Sequence, residues 1–185
     1  ENIDFTVMEG GKISGRVTDA GSGLPIENVQ VKAGPYDDNW YERYGWSNAQ
    51  GYFTITGLLD DDFRVAVENQ VPAGYAQQYY PDTFDHNSAW RVNISGFGTA
   101  TDINFHLEPG GVISGYVVDD ASGQPIANMN ISAGPRHDRG GRGTCTDDQG
   151  YYELDGLIYA EYVVQAPADT YNWCLDNQPP HDVYP

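Results

Sequence analysis

Residues 102–135 read DINFHLEPGGVISGYVVDDASGQPIANMNISAGP, and residues 2–35 read NIDFTVMEGGKISGRVTDAGSGLPIENVQVKAGP. The two stretches keep an offset of 100 residues through Gly10/Gly110, Gly15/Gly115, Gly23/Gly123, Pro25/Pro125 and Gly34/Gly134. After a slip of one residue, Gln50-Gly51-Tyr52 matches Gln149-Gly150-Tyr151 and Gly57-Leu58 matches Gly156-Leu157. Self-similarity at a fixed period marks a duplicated structural unit. Duplicated glycines and apolar positions describe a framework before they describe any chemistry.

The duplicated segments carry strand signals. Lys12–Thr18 alternates polar and apolar residues, as do Val29–Ala33, Tyr52–Thr56 and Phe63–Val67, which is the period of a half-buried strand. The second copy repeats the order over 112–118, 129–133, 151–155 and 161–166, and residues 91–95 and 103–107 add two strands to the first. Asp-Ala-Gly-Ser-Gly, Gln-Gly and Leu-Asp-Asp-Asp fall between them as turns. No segment holds a helical period over three turns; residues 68–80 leave room for one short helical turn. Gly15 and Gly115 lie inside strands, which implies a close backbone approach. Gly51 and Gly150 lie at hairpins, where a positive φ suits glycine.

The chain of 185 residues accommodates two domains of ordinary size, expected at 1–108 and 109–185. Ile3-Asp4-Phe5-Thr6-Val7 is the counterpart of Ile103–Leu107, so residues 1–8 read as an extra strand or as the closing strand of a preceding unit. The sequence after residue 166 shows no such strand for the second domain. An unpaired edge of this kind is a site of association.

A net charge of −18 is spread over both halves. Such a field repels the phosphate backbone, so nucleic acid is excluded as a partner. No apolar run approaches the length of a membrane span, so no membrane insertion is expected. Cys145 and Cys174 are the two cysteines. They are expected to pair, tying what reads as a central strand to the C-terminal segment, in an oxidising compartment.

The segments Gly11–Asp19, Gly23–Asn28, Gly51–Leu58 and Phe63–Val65 resemble the carboxypeptidase regulatory-like domain. So do Gly111–Asp119, Gly123–Asn128, Gly150–Leu157 and Tyr162–Val164. That family is similar to transthyretin and related to the Cna B-type domains of surface adhesins. The resemblance implies an all-β chain of two tandem Greek-key β-sandwiches, each of seven or eight strands. It implies a module found in tandem on secreted or cell-surface bacterial proteins, accompanying enzymes without doing chemistry. The Cna relation raises an internal lysine–asparagine isopeptide bond. The second copy has no lysine, and in the first Lys12 is replaced by Val112 in the copy while Lys32 lies on the outward phase. A bond from either lysine to Asn104 is therefore not expected.

Candidate sites are few. His86, His106, His137 and His181 have no partner at a catalytic spacing, and Ser14 and Ser114 lie in no nucleophile elbow. The chain is not expected to be an enzyme or to need a cofactor. Asp60-Asp61-Asp62 reads first as a solvated turn and second as a structural calcium site. The segment Tyr36–Trp46 packs five aromatics into eleven residues. Trp40, Tyr41 and Tyr44 within it are the candidate ligand-binding residues, with Trp46 expected to be buried at the strand position of Cys145. Exposed aromatics rimmed by Asp, Asn and Arg suit a sugar or peptide. In the second copy, Arg136–Gly143 holds all three arginines and is expected to neutralise local acids or meet a neighbouring domain.

The expectation is a spacer or adhesion scaffold within a larger secreted or cell-surface protein. Its partners would be other domains of the same polypeptide or a surface partner. The rival is a carbohydrate-binding module that takes polysaccharide on the 36–46 loop.

Overall fold

The computed structural model describes residues 3–7, 9–37, 41–68, 71–136, 141–166 and 174. The first copy contains β1 (Gly11–Asp19), β2 (Gln30–Pro35), β3 (Arg43–Trp46), β4 (Tyr52–Leu58), β5 (Asp61–Val67), β6 (Gln78–Tyr79), β7 (Val92–Ile94), β8 (Thr99–Ala100) and β9 (Phe105–Leu107). The second contains β10 (Gly111–Tyr116), β11 (Asn130–Pro135), β12 (Arg142–Cys145), β13 (Tyr151–Leu157) and β14 (Tyr162–Gln165). A 3-10 turn spans His86–Ser88, and the described residues of 68–80 form turns and β6 in place of a helix. Among the described residues no helix is long and apolar enough to cross a membrane. The chain divides into two compact units, one of Glu1–Val71 with Gln77–Glu108, the other of Pro72–Ala76 with Pro109–Pro185.

The first unit has two sheets. One runs β4-β1-β8, with β9 also paired to β1; the other runs β3-β2-β5-β6, with β7 also paired to β5. The alternation along β1 turns Ile13, Gly15 and Val17 inward and Lys12, Ser14 and Arg16 outward. Val31, Ile55, Phe63, Val65, Phe105 and Leu107 are all at 0% exposure, each contributing about 1.5–3 kcal/mol by burial. Two of the nine strands, β6 and β8, are only two residues long.

The second unit repeats the core of this plan with β10-β13 in one sheet and β12-β11-β14 in the other. Ile131, Ala133, Leu154 and Leu157 form its buried cluster, with Ile113, Val117, Met129, Tyr152 and Tyr162 partly buried against it. Five strands are present among its described residues. Ile3–Val7 forms no strand, and Ile3, Phe5 and Val7 are 79, 87 and 89% exposed.

The duplication extends to single hydrogen bonds. Asp19 Oδ1 accepts from Ser22 N and Oγ, and Asp119 Oδ1 does the same from Ser122. Asn48 Oδ1 accepts from the amides of Gln50 and Tyr52, and Asp147 Oδ1 from those of Gln149 and Tyr151. The buried Ser47 hydroxyl donates to Ile26 O and accepts from Val29 N. Thr146 repeats this with Ile126 O and Met129 N. These side chains satisfy backbone groups that the sheets leave unpaired, as buried polar groups require. The glycine reading also holds: a Cβ on Gly15 would lie 1.9 Å from Ile103 O, and Gly51 and Gly150 have φ of +81° and +72°.

Candidate functional site

β3 is an edge strand whose residues pair with β2 as Gln30↔Trp46, Val31↔Gly45, Lys32↔Tyr44 and Ala33↔Arg43. Val31 and Ala33 face the core at 0% exposure. Gly45 faces it too, and a Cβ there would lie 2.6 Å from Thr54 O. Period-two alternation then turns Tyr44 and Trp46 outward together. They are 38 and 55% exposed, with ring centroids 6.5 Å apart and planes tilted by 41°.

This corrects the expected burial of Trp46. Its counterpart Cys145 also lies on an outward phase, opposite Asn130, and on an edge strand rather than a central one. There it is bonded to Cys174, with Cα atoms 5.8 Å apart. One register position thus holds an exposed indole in the first unit and a disulfide in the second.

Beside the aromatic pair, a shallow cleft is lined by Lys32, Gly34, Glu42, Arg64, Glu68 and His86. The Lys32 ammonium lies 3.1 Å from Glu42 Oε1 and also pairs with Glu68. The Tyr44 hydroxyl donates to Glu42. Burial opposes ionisation of Glu42, but Tyr44 and Lys32 outweigh it and hold its carboxyl below the usual range. Arg64 Nε is buried without a hydrogen-bond partner. The cleft therefore offers fixed charges and hydrogen-bonding groups next to a flat apolar surface. Lys32 is committed to two carboxylates on the five-stranded sheet, whereas Asn104 Oδ1 accepts from Arg16 N beside β1. The two residues of the isopeptide question are thus engaged with different partners.

The remaining expected residues separate. Trp40 lies outside the described residues. Tyr41 is half-buried: its ring meets Phe63 edge-on at 6.2 Å, Arg43 lies 5.1 Å from its centroid, and its hydroxyl accepts from Leu59 N. It fastens the loop to the sandwich. Of the expected trio, Tyr44 is the described residue that reaches the exposed face, and it does so with Trp46. Sequence reasoning also missed a stack on Tyr36, where the Arg64 and Arg91 guanidinium groups lie 4.1 and 3.9 Å from the ring centroid. Arg91 grips Asp37 with two hydrogen bonds of 2.7 and 2.8 Å, which lowers the Asp37 carboxyl below its usual range.

Asp60, Asp61 and Asp62 do not converge. Asp60 accepts from the amides of Gly96 and Phe97, and Asp61 from that of Asp62. Asp62 accepts from Asn93 and faces Arg91 at 3.5 Å. Among the described residues no group of three His, Cys, Asp or Glu side chains is arranged to hold a metal ion. The three carboxylates organise turns through protein donors. In the second unit, Arg136 Nη1 lies 3.7 Å from Glu161 and its amide donates to Glu161 O, the local neutralisation expected of that loop.

No curated protein matches the sequence. Among solved structures, the TIE protein of Bacillus anthracis aligns with 15% identity and a TM-score of 0.41, over 95% of this chain and 31% of that one. A streptococcal ancillary pilin gives 16% and 0.39, over 94% and 58% of the two chains. The minor pilin of Streptococcus agalactiae gives 14% and 0.39, over 95% and 90%. The chain therefore spans less than two thirds of the first two of these structures. The carboxypeptidase regulatory-like domain matches over residues 12–111 and again over 112–172. The chain belongs to the carboxypeptidase regulatory-like domain family, of which it carries two tandem copies.

Proposed function

We propose that this chain is a non-catalytic structural module of a larger secreted or cell-surface bacterial protein, where it acts as a spacer or adhesion scaffold. One observation carries the reading. The two copies repeat the hydrogen bonds of their turns and core hydroxyls residue for residue, while the β2–β3 and β11–β12 loops differ in length and chemistry. Selection that preserves a frame and lets its surface loops diverge is the pattern of a scaffold. Its partners are other domains of the same polypeptide or a surface partner.

A second reading is supported by the exposed Tyr44–Trp46 pair beside the charged cleft. Flat apolar faces rimmed by polar groups accept sugar rings. One experiment separates the two: the purified chain and Trp46→Ala are presented to an array of bacterial and plant polysaccharides, with product analysis on the same samples. The scaffold reading expects no saturable binding and no released product. Saturable binding lost in Trp46→Ala would establish the carbohydrate reading, and released oligosaccharide would overturn both.

A further inference from the structure

The outer face of the first unit's β3-β2-β5 sheet is ordered by its register. On one side of β2 the pairs are Gln30↔Trp46 and Lys32↔Tyr44, on the other Lys32↔Ala66 and Gly34↔Arg64. The period of two places Trp46 and Tyr44 in line along β3, with Glu42 just ahead of it. It places Ala66 and Arg64 in line along β5, with Glu68 just past its end. Gly34 lies between Glu42 and Arg64 and has no side chain to fill the space above it. The cleft there has a volume of about 30 Å³, room for one small polar group and too little for a sugar ring.

Arg64 differs from the other cations that line or flank this face. Lys32 faces Glu42 and Glu68, and Arg91 faces Asp37. The Arg64 guanidinium lies against the Tyr36 ring, and among the described residues it makes no hydrogen bond or ion pair. Asp37, whose carboxylate feels its charge, is already gripped by Arg91. A guanidinium presents five N–H donors in a planar fork, and a buried donor left unpaired is costly. An arginine without a carboxylate, in a chain of 27 acidic and nine basic residues, points to an acceptor from outside the chain.

The second copy keeps the frame and drops these side chains. At the matching register positions Lys32, Tyr44, Trp46 and Arg64 give way to Ser132, Gly143, Cys145 and Val163. Glu42 gives way to Gly141, whereas Gly34 is matched by Gly134. The same strands therefore form without this set of side chains, so folding does not require it.

We propose that Arg64 binds the carboxylate of an acidic sugar whose ring lies on Tyr44 and Trp46, so that the first unit takes a uronate-bearing polysaccharide. This rests on the carbohydrate reading of the same face and names the class of sugar. The guanidinium fork matches a planar carboxylate through two parallel hydrogen bonds. Arg64 stands two strands, about 10 Å, from the line of Tyr44 and Trp46, a span that the arginine stem and one sugar ring bridge together. Glu42 and Glu68, both paired with Lys32, limit the charge the cleft accepts. A single carboxylate is tolerated beside them, and a phosphate, carrying close to two charges, is repelled.

The test is calorimetric titration of the full chain with oligomers of galacturonate, glucuronate and mannuronate, each beside its carboxyl-reduced form. Reduction removes the charge and keeps the ring, so this comparison depends on no variant. Trp46→Ala and Arg64→Met, which keeps an unbranched stem on the Tyr36 ring, are titrated in parallel. The expected result is saturable binding of at least one acidic oligomer, about 10-fold or more tighter than its reduced form. That binding should be lost in Trp46→Ala and fall to the level of the reduced sugar in Arg64→Met. Acidic and reduced forms that bind alike, both lost in Trp46→Ala, would overturn the proposal and leave the carbohydrate reading standing. Acid-selective binding that Arg64→Met leaves unchanged would overturn it as well. No saturable binding of any oligomer, acidic or neutral, would overturn the proposal together with the reading it rests on.

Discussion

Replacing Ser47 by alanine removes an oxygen that serves two backbone groups at once. Ser47 is 2% exposed; its hydroxyl accepts from Val29 N at 2.9 Å and donates to Ile26 O at 2.7 Å. Val29 is fully buried, so water does not replace the lost partner. An unsatisfied buried N–H costs about 1–3 kcal/mol; Ile26 O is nearer solvent and adds less. At about 4–8 °C per kcal/mol for a domain of this size, the midpoint of thermal unfolding should fall measurably. Ser47→Thr is the control, because Thr146 shows that the same position in the second copy accepts the larger hydroxyl with the same two partners. Calorimetry should find Ser47→Ala destabilised and Ser47→Thr close to the parent. Equal midpoints for all three would show that the shared hydroxyl is not what closes this corner of the frame.

Three further outcomes follow from named contacts. Trp46→Ala, on a side chain 55% exposed, should change stability by no more than about 0.5 kcal/mol, whereas Phe105→Ala, at 0%, should cost about 3–5 kcal/mol in chemical denaturation. Millimolar calcium should raise the unfolding midpoint no more than NaCl of matched ionic strength, since Asp60, Asp61 and Asp62 are held by protein donors; a calcium-specific rise would restore a metal site. Glu42 has a folded pKa below its unfolded value, so its contribution is complete above about pH 4.5 and is lost as pH falls through the folded value. The stability gap between the parent and Glu42→Gln should therefore close on acidification, and a gap independent of pH would refute the assignment.

The framework was legible because its rules are local. Period-two alternation located β1, β4 and β5 and their copies, and the clash that any side chain at Gly15 would make explains a glycine inside a strand. The site was less legible because it depends on register. Trp46 was read from its counterpart Cys145 as a buried position, yet both face outward, and only the pairing Gln30↔Trp46 reveals the phase. The acidic run shows the same dependence: Asp60, Asp61 and Asp62 are adjacent in sequence, but successive residues of a strand and its turn point to different neighbours. Arg91, which neutralises Asp37 and faces Asp62, is 54 and 29 residues from them.

Residue-resolved hydrogen exchange tests most directly whether one frame is used twice. The amides of Val17 and Val117 donate to Gly51 O and Gly150 O, those of Ile26 and Ile126 to Val17 O and Val117 O, and those of Ser47 and Thr146 to Val29 O and Met129 O. These three pairs should be protected together, each residue like its counterpart. Protection of Val17, Ile26 and Ser47 with rapid exchange at Val117, Ile126 and Thr146 would contradict the account, because the second copy would then not be a frame of its own.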